Sequence, residues 1–329
     1  YIIYGFTAQH VILNSRTWLD EVTYLIKSFN YVSGNIQPYS DQDPTWYMPV
    51  YFYELGAWQY LIGKGMSSAR LLSSLVGAAS GLVLYDVVRR ITGNSLAAAL
   101  STLVFLTIPS ICFYFNTAIP ASSVSFLLIS TVWVIVRSTE DPSWLTTLAF
   151  GFLLATLYLY RQNMVLAVIV LLPVYILKIR KNRLKHIALV TTGITLVIVS
   201  TLIVFSDRLL IYAMRLPLLT PVLSELGFMS NTLYTIENGT TSDLTLSVPL
   251  ANIDFADILD GFILPYAGLI LSALISILLA RDKLKVLLII PGFFLFLSVT
   301  HYLGSLGYCS TCILPYTSYY AVIGAMCFG

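Results

Sequence analysis

Apolar runs of about 20 residues, separated by short charged stretches, fill most of this chain and leave few folds open to it. About 20 residues is the length at which an α-helix crosses the hydrocarbon of a bilayer. The runs are continuous, whereas the strands of a membrane barrel alternate apolar and polar residues, so helices are predicted. The runs fall near 67–88, 95–115, 119–136, 145–160, 163–178, 187–206, 258–280, 284–301 and 311–329, and residues 1–13 read as the end of an earlier membrane helix. The prediction is one all-α transmembrane domain over residues 1–329 with about ten spans. Composition agrees: only 10% of residues are charged, against about 25% in a soluble domain. The chain opens at Tyr1 and closes at Gly329 within apolar stretches, so both termini read as incomplete.

Charge orients the bundle. If residues 14–65 lie outside, the inner loops hold Arg89, Arg90, Arg137, Lys178, Arg180, Lys181, Arg183, Lys185, Arg281, Lys283 and Lys285. That is 11 of the 18 basic residues, against four of the 16 acids (Asp86, Glu140, Asp141 and Asp282). Basic residues concentrate on the inner side of membrane proteins, and the four loops agree with one another. Two long segments, 14–65 and 207–257, then lie outside, with interfacial helices expected in both. Asn238-Gly-Thr240 is a glycosylation sequon in the second of them. A net charge of +2, scattered between spans, gives no sign of a nucleic-acid partner.

Few residues in so apolar a chain can carry chemistry. Asp20 and Glu21 stand side by side in the first outer segment. A carboxylate there can take a proton from an acceptor hydroxyl, or it can simply stabilise the start of a helix. Asp41 and Asp43 have the spacing of a divalent-cation site, or of a solvated turn before Pro44. Lys64, Arg70 and Arg161 lie near outer helix ends, where a cation either meets an anionic head group or snorkels to lipid phosphate. The Tyr and Trp residues of segment 14–65 suit an interface and the faces of sugars. His301 reads as an interfacial histidine, and Cys309 and Cys312 as an outer disulfide or two thiols. Gly-rich phosphate loops, nucleophile elbows and H-E-x-x-H motifs do not occur.

Trp18-Leu-Asp20-Glu21-Val-Thr-Tyr24, then Gly34, Pro44, Pro49-Val-Tyr51, Gly63, Ser68-Ala-Arg70-Leu71, Ser74 and Gly77 follow in order. This series resembles the N-terminal half of membrane glycosyltransferases with the GT-C fold, in the protein O-mannosyltransferase and aminoarabinose transferase-like branch. The resemblance is clearest over residues 15–180. It implies a polyprenyl-phosphate sugar donor and an acceptor hydroxyl, of a glycan, lipid or protein, on the outer or lumenal face of a plasma or endoplasmic reticulum membrane. It makes Asp20 the catalytic acid/base, with Glu21 orienting it or binding acceptor. Arg161 takes the place of the family's phosphate-contacting cation, with Arg70 and Lys64 beside it. Trp18, Tyr24, Tyr51 and His301 become substrate contacts. The loop Asn116-Thr-Ala-Ile-Pro120 lacks the acid that this family often carries there, and Gly307-Tyr308 lacks an Arg. Displacement with a single base predicts inversion at the anomeric carbon, and no cofactor or metal is expected to be required. Its rivals are a metal-dependent oligosaccharyltransferase-like enzyme using Asp41 and Asp43, a lipid-linked substrate transporter, and a non-catalytic GT-C scaffold.

Overall fold

The structure is a computed structural model and describes residues 1–14, 19–36, 49–140, 143–161, 164–179 and 182–214. The described residues form ten helices and no strand. They are α1 (Ile2–Asn14), α2 (Leu19–Val32), α3 (Val50–Ile62), α4 (Met66–Thr92), α5 (Ser95–Thr107), α6 (Pro109–Tyr114), α7 (Ala121–Glu140), α8 (Trp144–Tyr160), α9 (Val165–Lys178) and α10 (Arg183–Met214). Among them α4, α7 and α10 are long and apolar enough to cross a membrane, while α5, α8 and α9 are shorter apolar helices. The predicted runs beyond residue 214, the second outer segment, Trp18, Asp41, Asp43, His301, Cys309 and Cys312 lie outside the described residues.

Local chemistry sets the helix ends. Asn94 caps α5 by accepting from the amides of Leu96 and Ala97. Ser143 does the same for Thr146 at the start of α8. Gly93 closes α4 in the left-handed conformation that glycine adopts without cost. Between α3 and α4 the chain turns through Gly63-Lys64-Gly65, with φ of +122° and +142° at the two glycines. Those angles are open to glycine and strained for other residues.

One prediction needs correction here. The apolar run 95–115 is not a single helix: it breaks at Ile108-Pro109 into α5 and α6. Proline has no amide hydrogen and ends the preceding helix. The thiol of Cys112 donates to the Leu106 carbonyl at 2.8 Å across the break.

Packing is tight where glycine meets backbone. A Cβ on Gly56 of α3 would lie 2.2 Å from the Ser28 carbonyl oxygen of α2, and one on Gly151 of α8 would lie 2.2 Å from that of Val190 on α10. Small residues let helices in a membrane approach this closely. α1 runs antiparallel to α4, with Tyr1 and Tyr4 donating to the carbonyls of Ala78 and Ser74. The bundle thus has two ends. One carries α2, α3 and the loop 115–120. The other carries the α4–α5, α7–α8 and α9–α10 connections.

Candidate functional site

Successive residues on an α-helix point about 100° apart, so Asp20 and Glu21 in the first turn of α2 cannot face the same way. Asp20 is exposed and Glu21 is buried. Glu21 meets Arg70 of α4 in a bidentate pair: Nε donates to Oε1 at 2.9 Å and Nη2 to Oε2 at 2.7 Å. The two side chains are 1% and 2% exposed. Arg70 Nη1 also donates to the Val11 carbonyl of α1 at 2.7 Å, and the Ala118 amide donates to Glu21 Oε1 at 2.7 Å. Four parts of the chain therefore converge on one ion pair, and the first turn of α2 is fixed in place. Burying two charges is tolerable when their donors and lone pairs are satisfied, as they are here.

This geometry gives Arg70 a different partner from the one the sequence suggested. Glu21 itself is directed into the bundle, toward α4 and residue 118. Lys64 is exposed, with its ammonium 3.4 Å from the centre of the Phe29 ring, a cation–π contact between the α3–α4 turn and α2. Tyr24 and Tyr51 are buried, and their rings meet edge-on with centroids 5.1 Å apart. Phe52 packs on Tyr24 at the same centroid distance. As placed, these aromatic rings pack on one another and join α2 to α3. Burial, and after it the nearby Glu54 charge, pushes the Tyr51 hydroxyl far above its ordinary range; the adjacent Ser73 hydroxyl opposes the shift.

A residue that the sequence reading passed over completes this end of the bundle. Glu54 of α3 accepts from Ser123 of α7 at 2.8 Å and from the Tyr160 hydroxyl of α8 at 3.1 Å. Burial raises its carboxyl above the usual range, and the two hydrogen bonds pull it back in part. Tyr160 immediately precedes Arg161, which caps α8 with its own amide and is half-buried. Glu54 thus anchors the end of the helix from which Arg161 projects. The available signal was a lone acid in the aromatic run Val50-Tyr-Phe-Tyr-Glu54-Leu.

The loop 115–120 is also more than a connection. Asn116, Thr117 and Ala118 are buried, and Thr117 donates to the Tyr114 carbonyl at 2.9 Å. It carries no acid, but it supplies a main-chain donor to the acid on α2. Among the described residues no three His, Cys, Asp or Glu side chains gather as a metal site would require.

Residues 43–205 match the family model of dolichyl-phosphate-mannose-protein mannosyltransferases. The structure superposes on that of ArnT from Cupriavidus metallidurans bound to undecaprenyl phosphate, with a TM-score of 0.59 and 15% identity. The apo form of the same protein gives a TM-score of 0.59 and 16% identity. Each match covers 99% of this chain and 59% of the ArnT chain, so this chain spans less than two thirds of that protein. No curated protein matches it.

Proposed function

We propose that this chain, an integral membrane protein with the GT-C glycosyltransferase fold, moves a sugar from a polyprenyl-phosphate donor to an acceptor hydroxyl at the outer end of the bundle. The observation that carries the proposal is the division of labour within Asp20-Glu21. Glu21 is consumed by Arg70 and the Ala118 amide, and Asp20, one residue earlier, is left exposed on a helix turn that those contacts hold rigid. A catalytic base has to be both accessible and positioned. The family match and the lipid phosphate bound to ArnT support a lipid-linked donor.

In the proposed step the acceptor oxygen attacks the anomeric carbon, and the bond from that carbon to the phosphate oxygen breaks. The electron pair leaves with the polyprenyl phosphate, and the acceptor's proton passes to Asp20. A phosphate is a competent leaving group and needs no proton. It needs positive charge, which Arg161 supplies. Glu54, through Tyr160, is the positioning residue for that arginine. Displacement with a single base inverts the anomeric centre, and the proposal gives no metal ion a role.

The test is transfer by the full chain in proteoliposomes carrying polyprenyl-phosphate sugars. Asp20→Asn should lower kcat by at least about 100-fold, the usual contribution of a general base, and leave the melting temperature unchanged. Turnover within a few-fold of wild type would remove Asp20 from the reaction.

A further inference from the structure

The opposite end of the bundle carries a second polar assembly, and sugar transfer uses none of it. Thr147 of α8 is fully buried, and three groups meet its hydroxyl. The Ser143 carbonyl lies at 3.0 Å, the Tyr175 hydroxyl at 2.8 Å and His186 Nδ1 at 2.7 Å. A hydroxyl has one proton and two lone pairs. The Ser143 carbonyl also accepts from the Thr147 amide and the Thr146 hydroxyl, so it does not require the Thr147 hydroxyl proton. Tyr175 donates to one lone pair, and His186 Nδ1 is the closest of the three groups. In the tautomer in which Thr147 donates to Nδ1, the ring proton sits on Nε2, where it can be donated to an outside anion.

His186 and Arg183 border a narrow, shallow crevice between α9 and α10, with walls formed by Ile176, Ile179, Ile187 and Val190. Arg183 is tethered over the end of α9, where its Nε donates to the Ile179 carbonyl at 2.8 Å. That uses one of five N–H donors. The surrounding sequence is strongly one-sided: Lys178, Arg180, Lys181, Arg183 and Lys185 fall within eight residues, and no Asp or Glu occurs between Asp141 and Asp207. An apolar slot with a fixed imidazole and a guanidinium at its edge, and no carboxylate in the adjoining sequence, calls for an anion with a greasy body.

We propose that the rim of this crevice, where Arg183 is exposed and His186 half-buried, binds the phosphate of an anionic phospholipid in the leaflet at the basic end of the bundle. Arg183 and His186 Nε2 would hold the phosphate, and the Ile and Val side chains would pack against the glycerol and upper acyl chain. The site is independent of the sugar donor and lies at the other end of the molecule.

Native mass spectrometry of the full chain, released from nanodiscs of phosphatidylglycerol and phosphatidylcholine mixed in equal parts, tests this. Wild type should retain phosphatidylglycerol in clear preference. Arg183→Gln and His186→Gln should each cut that preference, Arg183→Gln by about five-fold, the worth of one basic side chain at an anionic surface. Lys185→Gln, outside the crevice, should leave it nearly unchanged, and Arg183→Lys should restore part of it. Equal retention of both lipids by wild type overturns the proposal. So does a loss with Lys185→Gln as large as with Arg183→Gln, which would mean diffuse attraction. Millimolar inorganic phosphate that binds in pure phosphatidylcholine discs and displaces no lipid would assign the site to a free phosphate instead.

Discussion

Two carboxylate–guanidinium pairs anchor α4, one at each end, and they are built differently. Glu21–Arg70 joins groups 49 residues apart, bidentate, dry, and shared with the Val11 carbonyl and the Ala118 amide. Asp86–Arg90 is one helical turn long, with Nε to Oδ2 at 2.6 Å; both side chains are partly exposed, and the Trp133 indole of α7 is a further donor. The first pair specifies which helices meet. The second lies within one helix, and its tie to a neighbour is the single Trp133 contact. Contact distances are similar in the two, so the lesson lies in burial: desolvation turns an ion pair from a minor surface term into a condition for assembly.

Breaking the first pair should have the largest effect. Arg70→Met leaves the Glu21 carboxylate buried without its guanidinium and should cost about 3–5 kcal/mol, read as loss of folded protein in detergent. The double variant Glu21→Leu/Arg70→Met should recover most of that loss. A double variant as unstable as the single one would show that the Val11 and Ala118 contacts outweigh the pair.

Gly56→Ala comes next. It forces α2 and α3 apart at the Ser28 carbonyl and should cost about 1–3 kcal/mol, measured as a melting shift. An unchanged melting temperature would show that the α2–α3 contact can yield.

Glu54 sharpens the comparison, because it is a partly buried carboxylate held by the hydroxyls of Ser123 and Tyr160. Its folded pKa lies above the unfolded value, so the folded state holds the proton more tightly. Stability from this group is therefore fullest below the usual carboxylate range, falls as pH rises toward the raised value, and is level above it. Glu54→Gln should flatten that decline in a melting-temperature series across the acid range. An unchanged slope would mean that other groups cause it.

Asp86→Asn should have the smallest effect, below about 1 kcal/mol, and added salt should shrink it further. A loss comparable to that of Arg70→Met would erase the distinction between the two ends.

The sequence carried the helices far better than their partnerships. The runs near 67–88, 119–136, 145–160 and 187–206 correspond to α4, α7, α8 and α10, because bilayer thickness dictates both length and apolarity. Pro109 was visible in its run, but hydropathy averages over a single residue, and the break was missed. The divergence of Asp20 and Glu21 follows from helix rotation once α2 is known to start at Leu19. Glu54 could not be read this way. Its partners lie 69 and 106 residues downstream, and nothing local announces them. Arg70 was legible as a cation near the outer end but not as one already engaged, because that depends on the tertiary approach of α2.

The donor to Glu21 from residue 118 belongs to the peptide bond, not to a side chain. Almost any amino acid small enough for that buried spot would supply the same hydrogen, and only proline would withhold it. A search of that loop for a catalytic side chain therefore finds nothing, although the loop helps decide where the acids of α2 stand. Relatives could exchange one small residue for another at this position and keep the interaction intact.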